Sequence, residues 1–284
     1  MIEEILPTAA AFAEAFADPP DVVLFPEEEA LVAAAVDKRR REFTTARQCA
    51  RRALAALGVP PQPIMTGERG APRWPPGIVG SITHCAGYRA AVAARDGDLV
   101  TIGIDAEPHL VLPDAVLPAV SLPGERARLR GLAAAEPETC WDRVLFCAKE
   151  AVYKAWFPVA RCWLGFDDAE IAISAADGTF EARLLVRPPA DGGLPSGGFA
   201  GRWLVRDGLI ITAVAVPRPG RLEQSRPSAG LLLGEWTILK YAWRRDGRRC
   251  PHGASTRWRI PACLRPRVPH PGCKRAAQAS ARAS

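Results

Sequence analysis

The stretch Leu99-Val100-Thr101-Ile102-Gly103-Ile104-Asp105-Ala106-Glu107 decides how this chain is read. Its apolar positions recur every second residue, the mark of a strand with two unlike faces. Val100, Ile102, Ile104 and Ala106 fall on one face, and Asp105 and Glu107 share the other. Further along, Phe146-Cys147-Ala148-Lys149-Glu150-Ala151-Val152-Tyr153-Lys154-Ala155-Trp156 carries a helical period. Leu145, Ala148, Ala151, Val152, Ala155 and Trp156 form one apolar stripe. Glu150 and Lys154 project from the other side, with Lys149 and Tyr153 at the boundary. Alone, the first stretch is a solvated strand edge, and the second an ordinary i,i+4 pair worth about 0.2–0.5 kcal/mol. Together they offer three carboxylates for a hard divalent cation and lysines for the phosphates it would hold.

Outward from this pair, residues 78–84 and 88–94 read as strands, and Arg95-Asp96-Gly97-Asp98 as the turn leading into 99–107. His84 closes the first of these in Gly80-Ser81-Ile82-Thr83-His84-Cys85, where the Ser81 and Thr83 hydroxyls are suited to donate to phosphate. Residues 2–18, rich in Ala, Phe and Glu, read as a helix stopped by Pro19-Pro20. Residues 27–57 read as a second helix, ended by Gly58-Val59-Pro60-Pro61. It carries Arg39, Arg40 and Arg47, whose planar forks suit bidentate phosphate contacts, although a solvated basic face explains them equally well. Residues 60–79 read as a long loop, and 108–124, with four prolines, as irregular chain. Helices are predicted over 125–132 and 139–157, and strands over 164–174, 179–186, 201–205 and 209–216, with Asp177-Gly178 and Asp207-Gly208 as hairpin turns.

Charge divides the chain unevenly. Residues 217–284 hold 15 Lys/Arg against 3 Asp/Glu, so the formal charge of +6 conceals a mildly acidic remainder. This segment is dominated by Pro, Arg, Gly, Ala and Ser and is predicted to be disordered. Cys250, His252, Cys263, His270 and Cys273 lie in it, but their spacing fits no standard zinc finger. Its arginines with Trp243 and Trp258 would at most bind nucleic acid nonspecifically. The remaining cysteines read as free thiols packed as small hydrophobes. Met1-Ile2-Glu3-Glu4 lacks the basic start of a secretory signal, and no apolar run is long enough to span a bilayer, so a cytoplasmic location is expected.

The order and spacing of Arg39–Arg47, of 67–76 with Trp74-Pro75, of Gly80–Tyr88, of Gly103–Pro108 and of Phe146–Trp156 resemble the Sfp-type 4′-phosphopantetheinyl transferases over residues 20–216. The likeness lies with the branch of enterobactin-synthase-associated and mycobacterial-type enzymes. It implies transfer of the phosphopantetheine arm of coenzyme A to a serine of an apo acyl or peptidyl carrier protein, releasing adenosine 3′,5′-bisphosphate. It further implies Mg²⁺, with Mn²⁺ able to substitute, on Asp105, Glu107 and Glu150. Lys149, Lys154 and His84 would meet the phosphates, Arg39 and Arg47 the 3′-phosphate end, and Ser81, Thr83 and Arg69 the coenzyme A pocket. Glu150 or a metal-bound water would take the serine proton. Phe146 stands where many relatives have Trp, and Thr66 where some carry a lysine.

The fold implied by the resemblance is α+β, with two pseudo-twofold-related halves at 1–107 and 108–216 and coenzyme A between them, in a monomer without nucleic-acid or membrane partners. Two other functions remain open: a non-catalytic coenzyme A-binding module, and a nucleic-acid-binding protein driven by 217–284.

Overall fold

In the computed structural model, which describes residues 1–189 and 193–219, the chain runs through β1 (Ala11–Ala15), α1 (Pro26–Val32), α2 (Asp37–Ala56), β2 (Ile78–Cys85), β3 (Tyr88–Arg95), β4 (Leu99–Pro108), α3 (Val116–Val120), α4 (Pro123–Ala135), α5 (Trp141–Ala160), β5 (Ala169–Ser174), β6 (Thr179–Leu184), β7 (Gly198–Arg206) and β8 (Leu209–Pro217). The fold is α+β. Strands β1-β3-β2 form a three-stranded antiparallel sheet, and β4-β8-β7-β6-β5 a five-stranded one. A 20-residue helix covers each: α2 packs on β1 and β3, and α5 on β4 and β8. The predicted disorder of 217–284 and its candidate zinc ligands lie, from residue 220 on, outside the described residues.

Three expectations are corrected. Residues 2–18 are not a helix but a short 3-10 turn, Ile2–Ile5, followed by β1. Alanine's helical propensity loses to pairing with β3 and to the capture of Glu14 by the Tyr88 hydroxyl at 2.6 Å. The predicted helix 27–57 is broken between Val32 and Asp37. Arg40 spans the break, donating to the Val32 carbonyl at 3.1 Å and to Glu29 at 2.6 Å, so it is a brace within the fold. A bulge between Leu99 and Thr101 shifts the alternation at the start of β4. Leu99 therefore joins Ile102, Ile104 and Ala106 in one core cluster, while Val100 turns to the core under α5. Finally, β4 pairs with β8, Ile104 opposite Ala213 and Glu107 opposite Ile210. Backbone pairing thus assigns the strand to the second sheet.

One device recurs in both halves. Helix α1 begins Pro26-Glu27-Glu28 and α4 begins Pro123-Gly124-Glu125, each with proline in the first turn and glutamate at the third position. Glu28 caps the Phe25 N–H, accepts from the Ile64 N–H at 2.9 Å and pairs with Arg51 of α2 at 2.7 Å. Glu125 caps the Leu122 N–H, accepts from the Ile171 N–H at 2.7 Å and pairs with Lys149 of α5 at 2.9 Å. Both carboxylates are buried, and each locks a short helix and a distant backbone amide to its half's long helix.

The two sheets meet at β2 and β4. No backbone ladder joins these strands; the Ser81 hydroxyl instead accepts the Ile104 N–H and the Thr83 hydroxyl accepts the Ala106 N–H, each at 3.1 Å. Both hydroxyls are buried, so each satisfies an amide that water does not reach. On its α5 side β4 presents Gly103. A Cβ there would stand 2.2 Å from the Ala151 carbonyl oxygen and 2.5 Å from the Ala155 nitrogen, so only glycine admits the helix this close. Thr101 fixes the same approach by donating to the Ala155 carbonyl at 2.8 Å. Gly103→Ala is expected to cost about 1–3 kcal/mol through overpacking, a fall in Tm of about 2–12 °C by calorimetry. Gly97→Ala, where an added Cβ meets nothing within 4 Å, should stay within about 0.5 kcal/mol of the parent.

Candidate active site

Because α5 lies so close to β4, the next side chains along both elements meet. Two residues past Gly103, Asp105 accepts a hydrogen bond from Lys154 Nζ on Oδ1 at 2.6 Å. The same oxygen accepts from the Thr83 hydroxyl at 3.0 Å, whereas Oδ2 is buried with no hydrogen-bond partner. Glu107 receives Arg143 NH1 at 3.0 Å. Burial, followed by the charge of Asp105, pushes the carboxyls of Glu107 and Glu150 each up to about 7. Arg143 and Lys154 act against this at Glu107, and Lys154 alone does so at Glu150. For Lys154, burial is outweighed by Asp105 and Glu150, and its pKa is raised. The cluster is thus rich in negative charge that the two cations only partly offset. Among the described residues, no three His, Cys, Asp or Glu side chains converge into a ready-made metal cage. The donor set nevertheless fits a hard cation, with all-oxygen ligands and one buried carboxylate oxygen left unpartnered.

The predicted phosphate-binding residues divide. Arg39 donates to His84 Nε2 at 2.5 Å, so the ring nitrogen facing it is an acceptor. Burial, together with Arg39 and Lys154, pushes His84 down to about 4 and keeps it neutral. Its Nδ1 lies 3.8 Å from Glu42, which in turn stands 3.6 Å from Arg89. Arg47 is buried deeper in the same half: it lies over the Phe43 ring, donates to the Thr66 hydroxyl at 3.2 Å and faces Glu28 at 3.9 Å. Burial lowers its pKa to about 10. Ser81 and Thr83, expected at a coenzyme A pocket, each accept one amide across the β2–β4 seam. Arg69 has a left-handed backbone, φ 53°, and sets its guanidinium over the Trp163 ring.

Lys149 is placed away from the cluster, although it neighbours Glu150. Its ammonium is buried against Glu125 and donates to the carbonyls of Phe166 and Ala169. Burial lowers its pKa, with Glu125 opposing. All three of its donors are therefore taken within the protein. Arg143 was not singled out from sequence, yet it binds Glu107 and also the carbonyls of Leu110, at 2.9 Å, and Val111, at 3.1 Å. A signal was present: Arg143 precedes Glu150 by seven residues, two helical turns on the same face.

Two family models match this chain: the 4′-phosphopantetheinyl transferase N-terminal domain over residues 27–94, and the 4′-phosphopantetheinyl transferase superfamily over 101–190. The chain is 54% identical over 234 residues to 4′-phosphopantetheinyl transferase Svp of Streptomyces mobaraensis, covering 81% of this chain and 95% of that one. It is 52% identical over 223 residues to the transferase Npt of Nocardia iowensis, covering 76% and 99%. It is 49% identical over 225 residues to the transferase PptT of Mycobacterium tuberculosis, covering 76% and 98%.

The environment of Lys149 generates a prediction. Lys149→Ala leaves the Glu125 carboxylate buried without its cation, and should lower unfolding stability by about 3–5 kcal/mol in a urea titration. The protein that remains folded should bind coenzyme A as the parent does. A weakened coenzyme A affinity at unchanged stability would assign Lys149 to the ligand instead.

Proposed function

The chain belongs to the 4′-phosphopantetheinyl transferase superfamily and is an enzyme of that kind, and we propose that it moves the phosphopantetheine arm of coenzyme A onto a serine hydroxyl of an apo acyl or peptidyl carrier protein in a Mg²⁺-dependent reaction. The observation that carries this reading is the meeting of Asp105 and Lys154 across β4 and α5, with Glu107 and Glu150 beside them. The serine oxygen bonds to the phosphorus bearing the pantetheine arm. The pyrophosphate P–O bond breaks, and adenosine 3′,5′-bisphosphate leaves. There is little covalent work for the protein to do, so placement and charge stabilisation carry the catalysis.

Asp105, Glu107 and Glu150 would hold the Mg²⁺, which is usually bound by one or two carboxylates together with substrate phosphates. When bound, the cation would supply neutralisation of the pyrophosphate charge and of the leaving oxygen. Lys154 stays partly exposed, with 27% of its side chain accessible, and it stabilises charge developing on the phosphates. Arg39 meets the 3′-phosphate end as a charged fork, and neutral His84 meets the phosphates as a hydrogen-bonding ring. Glu150, the carboxylate that α5 brings to the cluster, would accept the serine proton. The carrier belongs to polyketide, nonribosomal peptide, siderophore or fatty-acid synthesis, and the enzyme works as a cytoplasmic monomer. Among the described residues, no helix is long and apolar enough to cross a membrane.

Intact-protein mass spectrometry of an apo carrier incubated with this protein, coenzyme A and Mg²⁺ tests the reading. The carrier should gain the mass of one phosphopantetheine, and EDTA should abolish the gain. Glu150→Gln should slow transfer by about 10²–10⁴-fold, the usual contribution of a positioned base. No mass gain on either acyl or peptidyl carriers, with coenzyme A binding intact, would replace this reading with that of a coenzyme A-binding module.

A further inference from the structure

Ser81 and Thr83 perform the same structural task two residues apart on β2, each accepting one amide of β4 at 3.1 Å. They differ in what lies beyond. Ser81 meets no carboxylate, whereas Thr83 also donates to Asp105 Oδ1 at 3.0 Å. A hydroxyl has one proton. With the Ala106 N–H on its lone pair, that proton is aimed at Asp105. Lys154 comes to the same oxygen, so Oδ1 carries both donors and Oδ2, buried on the same group, carries none. We infer that Thr83 is a positioning residue for the divalent cation: its hydroxyl sets the rotation of the Asp105 carboxylate so that Oδ2 is the oxygen offered to the metal.

Lys154 does not replace this function. The terminal torsion of an aspartate is broad and nearly twofold, so an ammonium on a flexible stem donates to either oxygen equally. Thr83 is β-branched, buried and held on a strand whose register with β3 pairs it with Ala90, and it discriminates between the two oxygens. Partners behind a metal ligand commonly carry a 10–100-fold share of its affinity. The inference rests on the transferase reading, because the cation is the one proposed there.

The test compares the full chain with Thr83→Val, Thr83→Ser and Ser81→Ala. Mn²⁺ binding is read from the free-ion electron paramagnetic resonance signal, with coenzyme A present and carrier absent so that no turnover occurs. Thr83→Val keeps the shape and removes the hydroxyl, and Mn²⁺ binding should weaken about 10–100-fold. The Mg²⁺ concentration for half-maximal transfer should rise by the same factor. Thr83→Ser keeps the hydroxyl and should restore the parent's affinity. Ser81→Ala removes the equivalent seam bond and should lower Tm while leaving Mn²⁺ affinity unchanged. Equal loss of Mn²⁺ affinity in Ser81→Ala and Thr83→Val would reduce Thr83 to a seam residue and overturn the inference, as would a Thr83→Val protein that binds Mn²⁺ like the parent. If the parent transfers phosphopantetheine and Thr83→Val is indifferent to Mg²⁺, only this inference falls. A parent that binds no Mn²⁺ and transfers nothing removes the transferase reading and this inference together.

Discussion

Two buried hydroxyls close the open edge of β4, and the rest of the molecule is arranged around that closure. One side of β4 pairs with β8 by a normal ladder. The other would leave the amides of Ile104 and Ala106 without partners inside the protein, a cost that folded chains rarely bear. Ser81 and Thr83 meet those amides with side chains, so β2 keeps its own pairing with β3 and stays in the first sheet. A side-chain seam thereby joins two sheets that no backbone ladder joins. It also brings the end of β2, with His84, into the same region as the end of β4, with Asp105 and Glu107.

On the other flank of β4 the controlling quantity is distance. Gly103 lets α5 come within backbone contact, and Thr101 ties it there. The chemistry follows from this approach, since Lys154 reaches Asp105 only because the helix lies against the strand. The electrostatic consequence is a group of carboxylates that burial and mutual repulsion make reluctant to ionise. Glu107 and Glu150 sit near 7, and Lys154 and Arg143 compensate in part. Such a cluster has use for additional positive charge, and a substrate bearing pyrophosphate has use for the same charge.

The convergence of these side chains was legible because strand and helix periodicities each put their acidic residues on one face. Period two put Asp105 and Glu107 together, and period 3.6 put Glu150 and Lys154 on one face. Illegible features were those set by tertiary partners. Helical phase separates Lys149, at the edge of the apolar stripe, from Lys154 five residues on, but only the position of Glu125 shows that Lys149 is buried. The hydroxyls of Ser81 and Thr83 looked free to meet a phosphate because a sequence does not show which amides lack a partner. Residues 2–18 looked helical because alanine favours helix locally, while the vacant edge of β3 that captures β1 lies far along the chain. The resemblance to a known family supplied roles for these residues, yet local geometry redistributes several of them.

The recurrence of Pro-x-Glu at the starts of α1 and α4 bears on how the two halves are related. The halves share no visible repeat, and their sheets differ in strand number. Glu28 and Glu125 nevertheless each cap their own helix, bind one remote strand or loop amide, and pair with the long helix of their half, Glu28 with Arg51 and more distantly Arg47, and Glu125 with Lys149. A buried carboxylate with three matched partners is hard to alter one residue at a time, since loss of any partner leaves a charge or an amide unsatisfied. Surface and apolar positions have no such constraint, because apolar side chains of similar volume exchange at low cost. A common origin would therefore be erased first from the apolar pattern and last from this device. The cation itself has changed between halves, Arg51 in one and Lys149 in the other, while the glutamate has not. The glutamate serves backbone amides fixed by the fold, and each cationic partner adds carbonyl contacts of its own, Arg51 to Val23 and Lys149 to Phe166 and Ala169.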